Sequence, residues 1–128
     1  MTLHIVQLGS SRGRGEGLRI GTVRRPPRGV PKHEYAKRDF YDVWLPNLSP
    51  TPALLQSIDR KRPDWWKQFA RRFRAEMKQP EASHVLDTLA ALSHQANFSI
   101  GCYCDDEQHC HRSILRELLA ARGAALAS

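Results

Sequence analysis

The chain has 128 residues, 41% of them hydrophobic and 26% charged, with three cysteines and a formal net charge of +7. That length predicts one domain spanning 1–128, and the apolar fraction excludes a disordered chain. No apolar run approaches the ~20 residues that span a bilayer, no signal peptide is expected at Met1–Ile5, and the odd cysteine count argues against a secreted disulfide framework, so the cytoplasm is the expected compartment.

In chain order, Leu3–Leu8 reads as a short strand rich in β-branched residues. Gly9–Gly17 is a glycine-rich loop carrying Arg12 and Arg14. Leu18–Val23 alternates apolar and polar residues, which predicts a second strand. Arg24–Pro31 is too rich in proline for regular structure. Phe40–Leu45 reads as a third strand, Pro46–Pro52 as a loop, and Thr51–Ile58 as a short helix capped by Ser49 or Thr51.

Asp64–Lys78 is predicted as a helix with Asp64 as its cap. Trp66, Phe69, Phe73 and Met77 form its apolar face, and Lys67, Arg71, Arg74 and Lys78 a basic stripe. A further helix is predicted over Glu81–Gln95, with Ala82, Val85, Leu86, Leu89 and Leu92 inward. Phe98–Cys104 is the expected buried strand, and Cys110–Arg122 the last helix. Strands alternating with helices of crossover length predict an α/β fold, a mostly parallel small sheet with flanking helices. Strand order and oligomeric state are not readable from this pattern.

Charge is uneven along the chain. Residues 1–38 carry a net +7 and residues 60–78 a net +6, while 39–59 and 79–128 each carry −3. Such a field favours anionic partners. The helical stripe reads first as a solvated face, and alternatively as the contact surface of a non-enzymatic nucleic-acid-binding module.

All three cysteines and two of the six histidines fall between Cys102 and Arg112. A strand, a short loop and a helix start are where α/β folds place ligands, because the first helical turn offers unpaired N–H groups and a dipole that favours anions. Three readings compete. In the first, an anion pocket, Cys110 and His111 are the candidate catalytic groups. Arg24, Arg28, Asp42, His109 and Arg112 are then the candidate ligand-binding residues. Cys110 is expected to be more reactive than Cys102.

In the second reading the thiols of Cys102 and Cys104 are small buried hydrophobes. The third is zinc, held among Cys102, Cys104, His109, Cys110 and His111. A single residue separates Cys102 from Cys104, and paired two-residue knuckles are absent, so no metal and no cofactor is expected. A phosphatase loop is not matched, since Arg112 lies eight positions after Cys104 and two after Cys110. Trp65 and Trp66 read as core and rim residues rather than a base-stacking platform.

Cys102-Tyr-Cys104 followed by His109-Cys-His-Arg-Ser-Ile-Leu115 resembles the C-terminal signature of the YeaO-like family, domain of unknown function 488. Arg24 with Pro27-Arg-Gly29, Asp42-Val-Trp-Leu45 with Leu48-Ser-Pro50, and the Trp66, Phe69, Phe73, Glu76 and Met77 helix resemble its other stretches in order. The resemblance runs from about Leu3 to Leu119. Val23, Pro26 and Phe73 stand where the family pattern has Asp, Trp and Tyr. It implies a compact α/β domain and brings no established reaction. It favours Arg28 as a functional residue held in a rigid Pro-Arg-Gly loop, with Asp42 as a base or as partner to one of the candidate arginines. The expected partner is an anionic small molecule or a nucleic-acid phosphate, with no membrane.

Overall fold

A computed structural model describes residues 1–127. Its centre is β4 (Phe98–Cys102), whose five residues are all buried. A run of small and apolar residues suits a strand covered on both faces. Parallel pairing puts β1 (Leu3–Gln7) on one side, with Leu3 opposite Phe98 and Gln7 opposite Cys102. On its other side lies β2 (Leu18–Gly21), with Leu18 opposite Phe98 and Gly21 opposite Gly101. The two-residue β3 (Val43–Trp44) pairs with β2, which gives the order β1-β4-β2-β3, parallel throughout.

Four helices follow from the patterned segments: α1 (Pro52–Ser57), α2 (Trp65–Met77), α3 (Pro80–Leu92) and α4 (His111–Ala121). Phe69, Phe73 and Met77 of α2, Leu86 and Leu89 of α3, and Ile114, Leu115 and Leu119 of α4 join Leu3, Ile20 and Ile100 in one core. A smaller cluster forms around Leu8, Val23, Tyr41, Cys102 and Cys110. Tyr41 covers the sheet at Gly21, where a Cβ would come within 2.4 Å of its ring. No helix among the described residues is long and apolar enough to cross a membrane.

Several predicted boundaries move. The third strand shrinks from Phe40–Leu45 to Val43–Trp44, because Phe40 and Tyr41 turn inward to pack against the smaller cluster. The fourth ends at Cys102 and leaves Tyr103 and Cys104 in the loop. Thr51 is the cap of α1, accepting a hydrogen bond from the Leu54 N–H. Asp64 sits at the N-cap of α2 without bonding its backbone; its carboxylate accepts from the Gln68 side chain instead. Leu92, predicted inward, is 42% exposed at the end of α3, where Ala90 and Ser93 are buried in its place.

The glycine-rich loop is tied down by a buried cation. The fully enclosed Arg19 donates from Nη1 to the carbonyls of Ser10 and Asp39, and from Nη2 to Glu16 Oε1. Arg12 of the same loop is held by Asp42, at 2.8 Å and 3.1 Å to its two oxygens, and by Asp39. Asp42 also accepts from the Arg19 backbone N–H. Its fork-to-fork bond with Arg12 holds the Asp42 carboxyl below its ordinary pKa.

That depressed pKa links the Arg12–Asp42 contact to acid stability. The contribution is complete above about pH 4, the unfolded value, and is lost as pH falls through the lower folded value. Asp42→Asn is expected to lower stability in urea by about 1–3 kcal/mol at pH 7. The gap from the parent should close as pH falls from 5 towards 2. A gap independent of pH would contradict the assignment.

A candidate thiol-rich site at the carboxyl edge of the sheet

At the carboxyl edge the chain continues from β2 into Val23, Arg24 and Arg25, and from β4 into Tyr103 and Cys104. This edge is where open parallel sheets leave a crevice for ligands. The Thr22 N–H and hydroxyl both bond to the Gly101 carbonyl, at 2.9 Å and 3.0 Å, which extends the register by one residue. The Thr22 carbonyl accepts a 2.6 Å hydrogen bond from Nε2 of His111, the first residue of α4. A carbonyl only accepts, so Nε2 carries the proton. Burial holds the His111 pKa down, so the ring is neutral and Nδ1 presents a lone pair. That lone pair lies 3.7 Å from Cys110 Sγ. Phe73 packs edge-on against the same ring.

The three thiols are free and occupy different environments. Cys102 and Cys110 are enclosed, at 1% and 3% exposure, while Cys104 is exposed. Hydrogen bonds from Cys102 and Cys110 hold the Cys104 pKa well below the ordinary thiol value, helped by the charge of Arg112. Cys102 is pushed up, first by its bonds to Cys104 and Cys110 and then by burial. At Cys110 the contact with Cys102 acts downward, but the bond to Cys104 and burial outweigh it and raise its pKa.

These groups line a cavity of about 200 Å³. Cys102, Cys104, Cys110 and His111 face it from the sheet edge and the start of α4, and Trp65, Trp66 and Phe69 from α2. Arg24, Arg25 and Arg60 complete the lining with His109. The lining contains three arginines and two histidines but no carboxylate, so its formal charge is positive. Arg60 lies over the Trp65 ring at 4.8 Å, a cation–π contact. Nδ1 of His109 is 2.9 Å from Asp106, and its ring packs against both tryptophans.

The candidate residues separate into those the cavity gathers and those it does not. Arg24, His109, Cys110 and His111 line it together. Arg24 also bonds the carbonyls of Ser49 and Pro50, so much of its donor capacity holds the loop before α1. Arg112, 4% exposed, is not part of the lining and donates to the Cys104 carbonyl at 2.5 Å, fixing the turn after β4. Arg28 is exposed and sits in a separate depression with Pro27, Phe40 and Tyr103. Asp42 pairs with Arg12 instead of Arg24, Arg28 or Arg112 and lies in another depression beside Tyr41 and Trp44. On the α2 stripe, Arg74 is paired with Glu117.

Sequence reasoning passed over Arg25 and Arg60 as functional groups and offered Cys104 as a zinc donor or a buried hydrophobe, where the structure has it exposed. Arg60 carried a signal, since it lies close before the Trp65-Trp66 pair in the chain. For Cys104 the deciding fact is the end of β4 at Cys102, which sets free the side chain two residues on.

Fold and edge together define an α/β protein with a cationic, thiol-floored cavity beyond the carboxyl ends of a parallel sheet. The chain belongs to the DUF488 family: residues 3–123 match the family model described as the Active DUF488-N3 subclade. No curated protein and no solved structure matches the chain.

Exposure orders the three thiols. Iodoacetamide at pH 7 is expected to alkylate Cys104 at least about tenfold faster than Cys102 or Cys110, read by peptide mass spectrometry. Labelling led by Cys110 would contradict this placement.

Proposed function

We propose that this cavity binds an anionic ligand of nucleotide type, as the site of a small cytoplasmic enzyme. The observation that carries the reading is the lining itself, three arginines and two tryptophans around one cavity with no opposing carboxylate. A planar ring fits against the half-buried faces of Trp65 and Trp66, where stacking is favourable for any base. The charged part of the ligand faces Arg24, Arg25 and Arg60, which offer hydrogen-bond forks suited to phosphate.

The chemistry available to a bound ligand lies at the floor. Cys104 is the sulfur it meets directly, with its thiolate favoured by its neighbours. His109, oriented by Asp106, is the group in reach of the cavity for proton transfer. Cys110 and His111 act from behind, as enclosed walls. Arg112 contributes by holding the Cys104 turn. The family description, an active subclade, accords with an enzyme. Three free thiols around the cavity suit a reducing compartment.

A small molecule is favoured over nucleic acid because three arginines converge on one cavity. The α2 stripe is a dispersed surface with Arg74 already paired.

Isothermal titration with the four common ribonucleoside monophosphates and with inorganic phosphate tests the reading. At least one nucleotide should bind more tightly than phosphate, with affinity falling as salt is raised. The exposed pair Arg25→Glu and Arg60→Glu should together weaken binding by roughly tenfold or more, about 1.4 kcal/mol. No measurable binding of any nucleotide, or unchanged affinity in the double variant, would overturn it.

A further inference from the structure

Behind the exposed Cys104, the ligand atoms of Cys102, Cys110 and His111 lie within 4.8 Å of one another. All three residues line the same cavity. From this clustering we infer that Cys102, Cys110 and His111 form a three-ligand site for a soft divalent metal, zinc by class, whose fourth position opens into the cavity.

The donor set fits that ion. Two thiolates and one imidazole are ligands zinc takes, and three protein ligands with one free position is the arrangement of sites that engage a substrate or water. The imidazole is prepared in a way metal-binding histidines share. Its Nε2–H is anchored on the Thr22 carbonyl, so Nδ1 is unprotonated and turned towards the sulfurs. Two elements fix the donors: Cys102 ends the central strand, while Cys110 is the N-cap of α4 and His111 the first residue of that helix. Burial of both sulfurs leaves the cavity as the side from which the ion and its fourth ligand enter.

The set also answers the objection raised by the sequence. Cys104 lies past the end of β4 and is exposed, so it is not held against Cys102 by the strand. The cluster skips Cys104 and recruits His111, the residue after Cys110 at the start of α4. Zinc held there would place a Lewis acid beside the arginines, where an anionic group of a ligand can take the open position. The inference does not depend on the nucleotide reading, because metal content is measured with no ligand present.

The test uses the full untagged chain, purified under reducing conditions without chelator. Elemental analysis is expected to find about one zinc per chain. Cobalt added to stripped protein is expected to give thiolate-to-cobalt charge-transfer absorption and the visible bands of a four-coordinate ion. Cys110→Ser and His111→Gln should each lose most of the bound metal, while Cys104→Ser keeps it. Because His111 is buried, circular dichroism of each variant is recorded alongside, and Cys102→Ser gives a second removal of a ligand should His111→Gln fail to fold. Trace zinc in the parent with no cobalt spectrum would overturn the inference, as would loss of metal in Cys104→Ser equal to that in Cys110→Ser. An absent cobalt spectrum beside arginine-dependent nucleotide binding would overturn the metal site and leave the nucleotide reading standing.

Discussion

The arrangement of the site depends on one hydrogen bond, from His111 Nε2–H to the Thr22 carbonyl. It joins the first residue of α4 to the chain leaving β2, across the end of β4. Without it, the imidazole would have no reason to hold one tautomer, and the start of α4 would be pinned to the sheet only through packing. With it, the Nδ1 lone pair points at the enclosed sulfurs. A buried, neutral imidazole needs such a partner, since an unbonded N–H in this position would carry a desolvation cost of about 1–3 kcal/mol.

Around that contact the arginines divide by task. Arg19, Arg12, Arg24 and Arg112 spend their donors on carbonyls and carboxylates of this chain, tying together the loops that flank the sheet. Arg25 and Arg60 remain exposed, and both face the cavity. A net charge of +7 therefore describes two populations. The buried or paired cations shape the scaffold. The unpaired ones at the cavity supply the positive field that an anion would meet.

Much of the scaffold was legible in the sequence because burial is periodic. The stripe of Phe69, Phe73 and Met77 announced α2, and the apolar run from Phe98 announced the central strand. The parallel sheet with flanking helices followed from their alternation. What could not be read was set by contacts between distant segments. The shortening of the third strand comes from Tyr41 packing on Gly21. The partner of Asp42 is Arg12, thirty positions away, which no local pattern signals. The gathering of Cys110, His111, His109 and Arg24 at one cavity was accessible, since each lies just past a predicted strand or at a predicted helix start. The separation of Arg28 and Arg112 from it was not, because the direction of a long side chain is decided by which carbonyl it finds.

The most direct test of this account is the tautomer of His111, read from a long-range ¹H–¹⁵N correlation spectrum of uniformly labelled protein at pH 7. The account predicts a neutral ring with the proton on Nε2 and an unprotonated Nδ1. A ring protonated on Nδ1, or an imidazolium with both nitrogens protonated, would contradict it.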